Sequence, residues 1–129
     1  MKNHKLIVRL VHLLILLVLF ACSEDDAKAG KSRDIKFEIS GTFTGTLDAT
    51  YITASGGGTN ESITSLPWTK NIKYLSTTVS TSITVGGDGG VAGQTLFIKV
   101  FAGGTLVSET SGISNSSGIL VVASPSYIF

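Results

Sequence analysis

From residue 35 onward, apolar and polar residues alternate in short stretches that are separated by runs of glycine, serine and asparagine. The stretch IKFEIS at 35–40 is the clearest, with Ile, Phe and Ile in one phase and Lys, Glu and Ser in the other. Side chains on a strand alternate between its two faces, so a period of two predicts a half-buried strand. We predict an all-β fold over residues 35–129: an immunoglobulin-like antiparallel two-sheet sandwich of about seven strands.

The other six strands follow from the same pattern. FTGTLDATYITA predicts the second strand, and ESITSLPWTKNIKYL predicts the third, interrupted at Pro67 because proline cannot donate to a ladder. TTVSTSITV predicts the fourth, with Val79 in the apolar phase. QTLFIKVFAGGTLVSET predicts a hairpin that turns at Ala102–Gly104, and GILVVAS predicts the last strand. The runs SGGGTNE and GGDGGVAG are predicted loops, as are the glycosylation-type sequences at Asn60 and Asn115.

The first 21 residues have the layout of a secretory signal peptide. Lys2, Lys5 and Arg9 form a positive segment, and Leu13–Ala21 form an apolar one. A transmembrane helix needs roughly 20 apolar residues, and the uninterrupted run here is much shorter. We therefore expect residues 1–21 to be absent from the mature protein.

The sequence LFAC at 19–22 resembles the lipobox of bacterial lipoprotein signals. A small residue, Ala21, fits a narrow peptidase site, and the thiol of Cys22 is the nucleophile that takes a thioether-linked diacylglycerol. Cys22 is the only cysteine of the chain, and an unpaired thiol is unusual in an oxidising compartment. We expect Cys22 to be lipidated, with palmitate among its acyl chains. Each buried CH₂ contributes about 0.8 kcal/mol, so two or three chains hold a protein firmly to a membrane.

Residues 22–34, CSEDDAKAGKSRD, are polar and have no apolar period, which predicts a flexible tether. The acidic stretch SEDD behind the cysteine resembles the surface-export signal of some Gram-negative lipoproteins. The alternative is a solvated charge run. We expect the protein to be lipid-anchored in the bacterial cell envelope, at the outer membrane, and either periplasmic or surface-exposed.

The composition of the mature chain excludes several classes of function. Of the ten Lys and Arg, three leave with the signal peptide, so that seven face nine Asp and Glu, a net charge of about −2. There is no basic patch for a nucleic acid. Both histidines, His4 and His12, also leave. We therefore predict a protein without enzymatic activity and without a cofactor.

Acid–base chemistry would fall to carboxylates, and a hydrolase would need two of them within several Å. The six carboxylates of the predicted domain are scattered in the sequence. Asp88 in GGDGG lacks the further oxygen ligands that Ca²⁺ requires, so we predict no metal site. The six are Asp34, Glu38, Asp48, Glu61, Asp88 and Glu109.

The strand TLFIKVF is apolar on both faces. Phe97 and Phe101 share one phase with Lys99, while Ile98 and Val100 occupy the other. One interpretation is a central strand that a loop partly covers. The other is an exposed apolar strip, Phe97, Lys99 and Phe101, which docks a partner or a lipid.

The segments FEISGT, SLPWTKNIK, LFIKVFAGGTLVSET and GILVVAS together resemble the MmpS-type transport accessory proteins, over most of Phe37 to Ser124. The sharpest part of the resemblance is Leu66–Trp68, LPW. Without the resemblance, Pro67 is expected to mark a bulge and Trp68 to fill the sandwich core. The resemblance implies a membrane-held β-sandwich that assists a transporter of the resistance–nodulation–division type in exporting lipids or siderophores.

Two features depart from that family. The expected anchor is a lipid rather than a retained helix, and the cysteines that many members carry near the last strands are replaced around Phe97 and Val121. Two functions therefore remain open. The first is a binding or accessory module for an envelope protein such as a transporter. The second is a surface-exposed lipoprotein that binds an extracellular glycan or a host protein.

Overall fold

The computed structural model describes residues 30–129. The predicted signal peptide, the predicted lipidation residue Cys22 and most of the predicted tether lie outside the described residues. Within 30–129, no helix has the length and hydrophobicity to cross a membrane. Ten strands are present in this part: β1 Asp34–Gly41, β2 Thr46–Ile52, β3 Gly58–Ile63, β4 Trp68–Lys73, β5 Ser80–Thr81, β6 Ile83–Asp88, β7 Thr95–Ala102, β8 Thr105–Ile113, β9 Leu120–Ala123 and β10 Tyr127–Ile128.

Eight of these strands form two antiparallel sheets of four. Sheet A has the order β4-β1-β7-β8 and sheet B has the order β3-β2-β6-β9, while β5 and β10 pair with each other. The apolar faces of the two sheets pack against each other, so the predicted all-β, antiparallel two-sheet sandwich is confirmed. The sheets contain eight strands where about seven were expected, because the predicted third strand is two strands.

The segment around Pro67 crosses from one sheet to the other. β3 ends at Ile63 on the edge of sheet B, and β4 starts at Trp68 on the edge of sheet A. The peptide bond between Leu66 and Pro67 is cis. Because β3 and β4 belong to different sheets, Pro67 lies in a connection between sheets rather than at a bulge within one strand.

The core lies between the sheets and is built from the alternating phases of the strands. Phe37 on β1, Ala49 on β2 and Ile98 on β7 are completely buried, so the predicted apolar phases of these strands are confirmed. The remaining buried apolar residues are Ile35, Ile39, Phe43, Leu47, Tyr51, Ile63, Tyr74, Ile83, Val85, Leu96, Val100, Ala102, Leu120 and Val122.

Four further local predictions are wrong. Val79 is 75 % exposed, and it lies just before β5, which begins at Ser80. Asn60 lies in β3 rather than in a loop, and Gly86–Asp88 belong to β6. Trp68 does not fill the core but packs half-buried at its margin, beside Tyr51, with 6.4 Å between ring centroids.

The residue that precedes β1 contacts two other parts of the fold, the segment between β4 and β5 and the C-terminal residue. Arg33 Nη1 donates hydrogen bonds to the carbonyl oxygens of Leu75 at 2.5 Å and Thr78 at 2.7 Å. The guanidinium carbon of Arg33 also lies 4.6 Å from the centroid of the Phe129 ring. The hydrogen bonds attach the beginning of β1 to the segment between β4 and β5, and the ring contact attaches it to Phe129.

Candidate functional site

The strip Phe97, Lys99 and Phe101 lies on the solvent side of β7, a central strand of sheet A. The intervening residues Ile98 and Val100 point into the core and are buried. The alternation in the sequence therefore correctly predicted that these three residues share one face of the strand. We call the solvent side of β4, β1, β7 and β8 the outer face of sheet A.

Phe101 is covered by a side chain of the neighbouring strand. It pairs with Lys36 on β1, whose Nζ lies 4.1 Å from the Phe101 ring centroid. The same Nζ is 3.2 Å from a carboxylate oxygen of Glu38. An ammonium over an aromatic face contributes about 0.5–1 kcal/mol at an exposed position. The cover over this part of β7 is thus a lysine rather than the loop that one interpretation of the sequence suggested.

Lys99 stands between two carboxylates of the adjacent strands. In the register of sheet A, Glu38 on β1 is opposite Lys99 on one side, and Glu109 on β8 is opposite it on the other. Opposite charges in directly facing positions stabilise a sheet modestly. The middle row of the outer face of sheet A is therefore charged, and its charges alternate in sign.

Phe97 is the exposed aromatic of the face. It lies between Ser40 on β1 and Ser111 on β8, and 36 % of its surface is accessible. Phe97 and Phe101 are four residues apart on one face, which separates their Cα atoms by about 13 Å at the usual rise of a strand. Small neighbours leave the Phe97 ring open to solvent, whereas Lys36 shields Phe101.

A shallow depression borders this face at the end where β1 begins. It has a volume of about 750 Å³ and lies between Lys36, Ile72 and Phe101, with the glycines of the β7–β8 turn at its rim. Lys36 and Phe101 of the outer face thus border this depression, and Ile72, which packs against the core, borders it from β4.

A second polar cluster lies at the margin where β3 and β4 face each other across the two sheets. A carboxylate oxygen of Glu61 accepts hydrogen bonds from the Tyr51 hydroxyl at 2.6 Å and from Lys70 Nζ at 2.7 Å. The Glu61 side chain is 38 % exposed and the Lys70 side chain 35 % exposed. Because β3 belongs to sheet B and β4 to sheet A, the ion pair joins the two sheets.

The pKa values of this cluster favour a permanent ion pair. Hydrogen bonds from Lys70 and then Tyr51 lower the pKa of Glu61, although desolvation opposes the shift. The hydrogen bond to Glu61 raises the pKa of Lys70. Burial, reinforced by the neighbouring Glu61, raises the pKa of the Tyr51 hydroxyl. All three shifts move titration away from neutral pH, so the cluster is suited to holding the sheets together rather than to transferring protons.

The Glu61 cluster was not foreseen from the sequence. Glu61 is both the last residue of the predicted loop SGGGTNE and the first residue of the predicted strand ESITSLPWTKNIKYL, and its partners Tyr51 and Lys70 come from other strands. Its separation of two residues from buried Ile63 is the signal that would have placed it on the inner side of β3.

The remaining carboxylates are distributed over separate surfaces. Asp48 on β2 accepts a hydrogen bond from the Ser62 hydroxyl at 2.6 Å on the outer side of sheet B, and Asp88 lies at the end of β6. Asp34 lies at the start of β1, 4.0 Å from Lys73. Among residues 30–129, no three His, Cys, Asp or Glu residues converge on a point where a metal ion would be held.

No protein-family model matches this sequence. A search of curated proteins also gave no match.

Proposed function

We propose that this protein is a non-enzymatic, lipid-anchored module of the bacterial cell envelope, which binds a protein partner through the outer face of sheet A. The single observation that carries the proposal is the exposure of Phe97 in the middle of a central strand. A phenyl ring at this position gains free energy when a partner removes it from water.

The surroundings of Phe97 support a protein partner. Aromatic side chains are enriched at the centres of protein interfaces, and polar or charged residues form their rims. Phe97 has the hydroxyls of Ser40 and Ser111 beside it, and the alternating charges of Glu38, Lys99 and Glu109 in the next row. The aromatic ring would supply affinity, and the charged row would fix the orientation of the partner.

The absence of enzymatic activity is supported by the chemistry of the chain. Both histidines belong to the predicted signal peptide, and the sole cysteine is the predicted lipidation residue. Glu61 and Lys70 hold each other in their charged forms at neutral pH. The chain therefore has few groups suited to acid–base catalysis near neutral pH.

The class of partner follows from the predicted location. A lipid on Cys22 and a tether of about a dozen residues would keep the sandwich close to other envelope proteins. A transporter of the resistance–nodulation–division type is the partner that the resemblance to MmpS-type proteins implies. Binding of a glycan or a host protein at the cell surface is the alternative, and it requires outward orientation.

The proposal is tested in the full-length protein by replacing Phe97 with a photoreactive phenylalanine analogue in living cells. We expect one dominant cross-linked envelope protein, identified by mass spectrometry, and its loss when Lys99→Glu is introduced as well. Val121 is the matched control, since it is 71 % exposed on the outer side of sheet B. Equal cross-linking from both positions would contradict a specific binding face.

Protease treatment of intact cells separates the two locations. A periplasmic module is protected and stays intact, which supports an envelope partner. Digestion of the sandwich on intact cells would instead support the extracellular ligand.

A further inference from the structure

The two sheets have four edge strands, and these differ in how they are protected against pairing with another strand. The edges are β4 and β8 in sheet A, and β3 and β9 in sheet B. An edge strand presents unpaired backbone N–H and C=O groups, which proteins usually protect with lysine, proline, inward-pointing charges, a β-bulge or a short strand.

Three edges carry such protection. β4 follows Pro67 and contains Lys70 and Lys73. β3 directs the charge of Glu61 toward the other sheet, where Lys70 binds it. β9 has only four residues, and Pro125 comes two residues after its end.

Apart from a β-bulge at its hairpin end, the β8 edge lacks these features. Thr105–Ile113 is the longest strand of the described residues, and it contains no lysine, arginine or proline. Its only charged residue is Glu109, and its only ladder within residues 30–129 is the one with β7. Leu106, Val107 and Ile113 are 47 %, 40 % and 68 % exposed.

We propose that β8 pairs with β8 of a second copy of this chain, antiparallel, around a two-fold axis at Thr110. This register is selected by the side chains. It places Val107 opposite Ile113 of the partner subunit, and Glu109 opposite Ser111 of the partner subunit. Exposed apolar residues lie near both ends of β8, so reversing the strand brings them together.

Neighbouring registers are unfavourable. An axis at Glu109 would place two like charges directly opposite each other, which destabilises a sheet. An axis at Ser111 would place Glu109 opposite Ile113 of the partner subunit. A shift by a single residue between strands would pair inner-face with outer-face residues. The bulge of β8 lies at its hairpin end, where Val107 stands between the paired residues Leu106 and Ser108 and has no partner on β7. The strand is regular from Ser108 onward, so the contact between Val107 and Ile113 of the partner subunit is the one pair of this register that involves the bulge.

The pairing would join the two copies of sheet A into one eight-stranded sheet. A two-fold axis perpendicular to a sheet keeps each face on its own side. Both copies of Phe97 would therefore lie on one continuous outer surface, and a dimer would present the aromatic strip twice. This inference rests on the β8 edge and does not require the proposed function of the strip.

The test uses the full-length protein, extracted in detergent and measured by native mass spectrometry. We expect the wild type to appear at twice the chain mass. Val107→Glu and Ile113→Lys are each expected to give monomers, because each places a charge opposite an apolar residue. The double variant V107E/I113K is expected to restore the dimer, because the introduced carboxylate of one copy then faces the introduced ammonium group of the other. Circular dichroism confirms that each variant keeps its strand content.

Val121→Lys is the matched control for Ile113→Lys, since it adds the same positive charge at an exposed residue of another edge strand. It should leave the dimer intact. A monomeric wild type, a dimer that survives both single substitutions, or a double variant that remains monomeric would each overturn the proposal.

A cysteine at Thr110 gives a second measurement in the native membrane. Residues that face each other across antiparallel strands have Cα atoms about 4.5–5.5 Å apart, which suits a disulfide. Thr110→Cys should form a cross-linked dimer under mild oxidation, whereas Val121→Cys should not. Absence of the Thr110 cross-link would exclude this axis.

Discussion

The ring of Phe43 lies against Gly90, in the space where any other residue would carry its Cβ. Gly87 on β6 also leaves space for this ring, since a Cβ at Gly87 would lie 2.7 Å from it. Phe43 is 6 % exposed and belongs to the core. The glycine-rich run at 86–90 therefore has a packing role, which is to receive this ring between the sheets.

Gly90→Ala is expected to destabilise the sandwich by about 1–3 kcal/mol, because an added methyl group in a packed core displaces the Phe43 ring. Urea unfolding followed by tryptophan fluorescence measures the change. Gly86→Ala is the matched control, since a Cβ at Gly86 meets nothing within 4 Å. Equal effects of the two substitutions would show that the Phe43 contact is not responsible.

Glu61→Gln is expected to lower the free energy of unfolding at pH 7 by less than about 1 kcal/mol, because partly exposed ion pairs contribute little. The native pKa of Glu61 is depressed, so its contribution is fully present above the ordinary glutamate pKa of 4.5, which applies to the unfolded chain. The contribution is lost as the pH falls through the depressed value.

Urea unfolding of both proteins at pH 7 and at pH 2–3 tests this dependence. The difference between wild type and Glu61→Gln should shrink on acidification. Glu38→Gln is the control, since its 3.2 Å pair with Lys36 does not join the sheets. A difference that stays constant with pH would contradict the role of the Glu61 charge.

Tyr74→Phe is expected to cost about 1–3 kcal/mol, because it leaves the buried Thr81 hydroxyl without its acceptor and removes the donor to the partly buried Ile52 carbonyl. The Tyr74 hydroxyl donates to the Ile52 carbonyl at 2.6 Å and accepts a hydrogen bond from the Thr81 hydroxyl at 2.6 Å. Thermal unfolding measures the loss. Tyr127→Phe is the control, since no hydrogen bond from its hydroxyl is found within residues 30–129, and a comparable loss there would refute the explanation.

The same tyrosine predicts a dependence on alkaline pH. Burial raises the native pKa of Tyr74, so its contribution to stability is complete below the ordinary tyrosine pKa of 10.0. The contribution declines as the pH rises through the raised native value, since the unfolded chain ionises first. Stability of the wild type should therefore fall more steeply above pH 10 than that of Tyr74→Phe.

Cys22→Ser is expected to move the protein from the membrane fraction to the soluble fraction, because the acyl chains would be lost. Mass spectrometry of the purified wild type should show an acylated Cys22 as the first residue. Ser23→Ala should leave both results unchanged. A wild-type protein that retains residues 1–21 with a free thiol would disprove the predicted anchor.

The parts of the fold that the sequence predicted are the strands with a strict period. In β7, Ile98 and Val100 alternate with Lys99 and Phe101, and burial follows this alternation. The strip on the outer face of sheet A was therefore predictable as a set of side chains on one side. Its charged neighbours were not, since sheet register sets them and they come from β1 and β8.

Two kinds of feature could not be predicted from the sequence. The first is a segment without alternating side chains, and the second is a contact between residues that are far apart in the chain. Glycines have no side chain to alternate, so the extension of β6 through Gly86 gave no signal. Apolar and polar residues alternate both before and after Pro67. The sequence therefore predicts one strand where the structure has two strands in different sheets. The Glu61–Lys70 pair exists only because β3 and β4 meet across that crossing.

β1 has a ladder on each side, with β4 over Asp34–Ile39 and with β7 over Ile35–Gly41. A pulling force that is applied through the residues before Asp34 and directed along this strand loads both ladders in shear. It must slide β1 past both neighbours at once, because neither ladder can be peeled open bond by bond. The architecture is therefore suited to withstand mechanical drag at the point where the chain enters it.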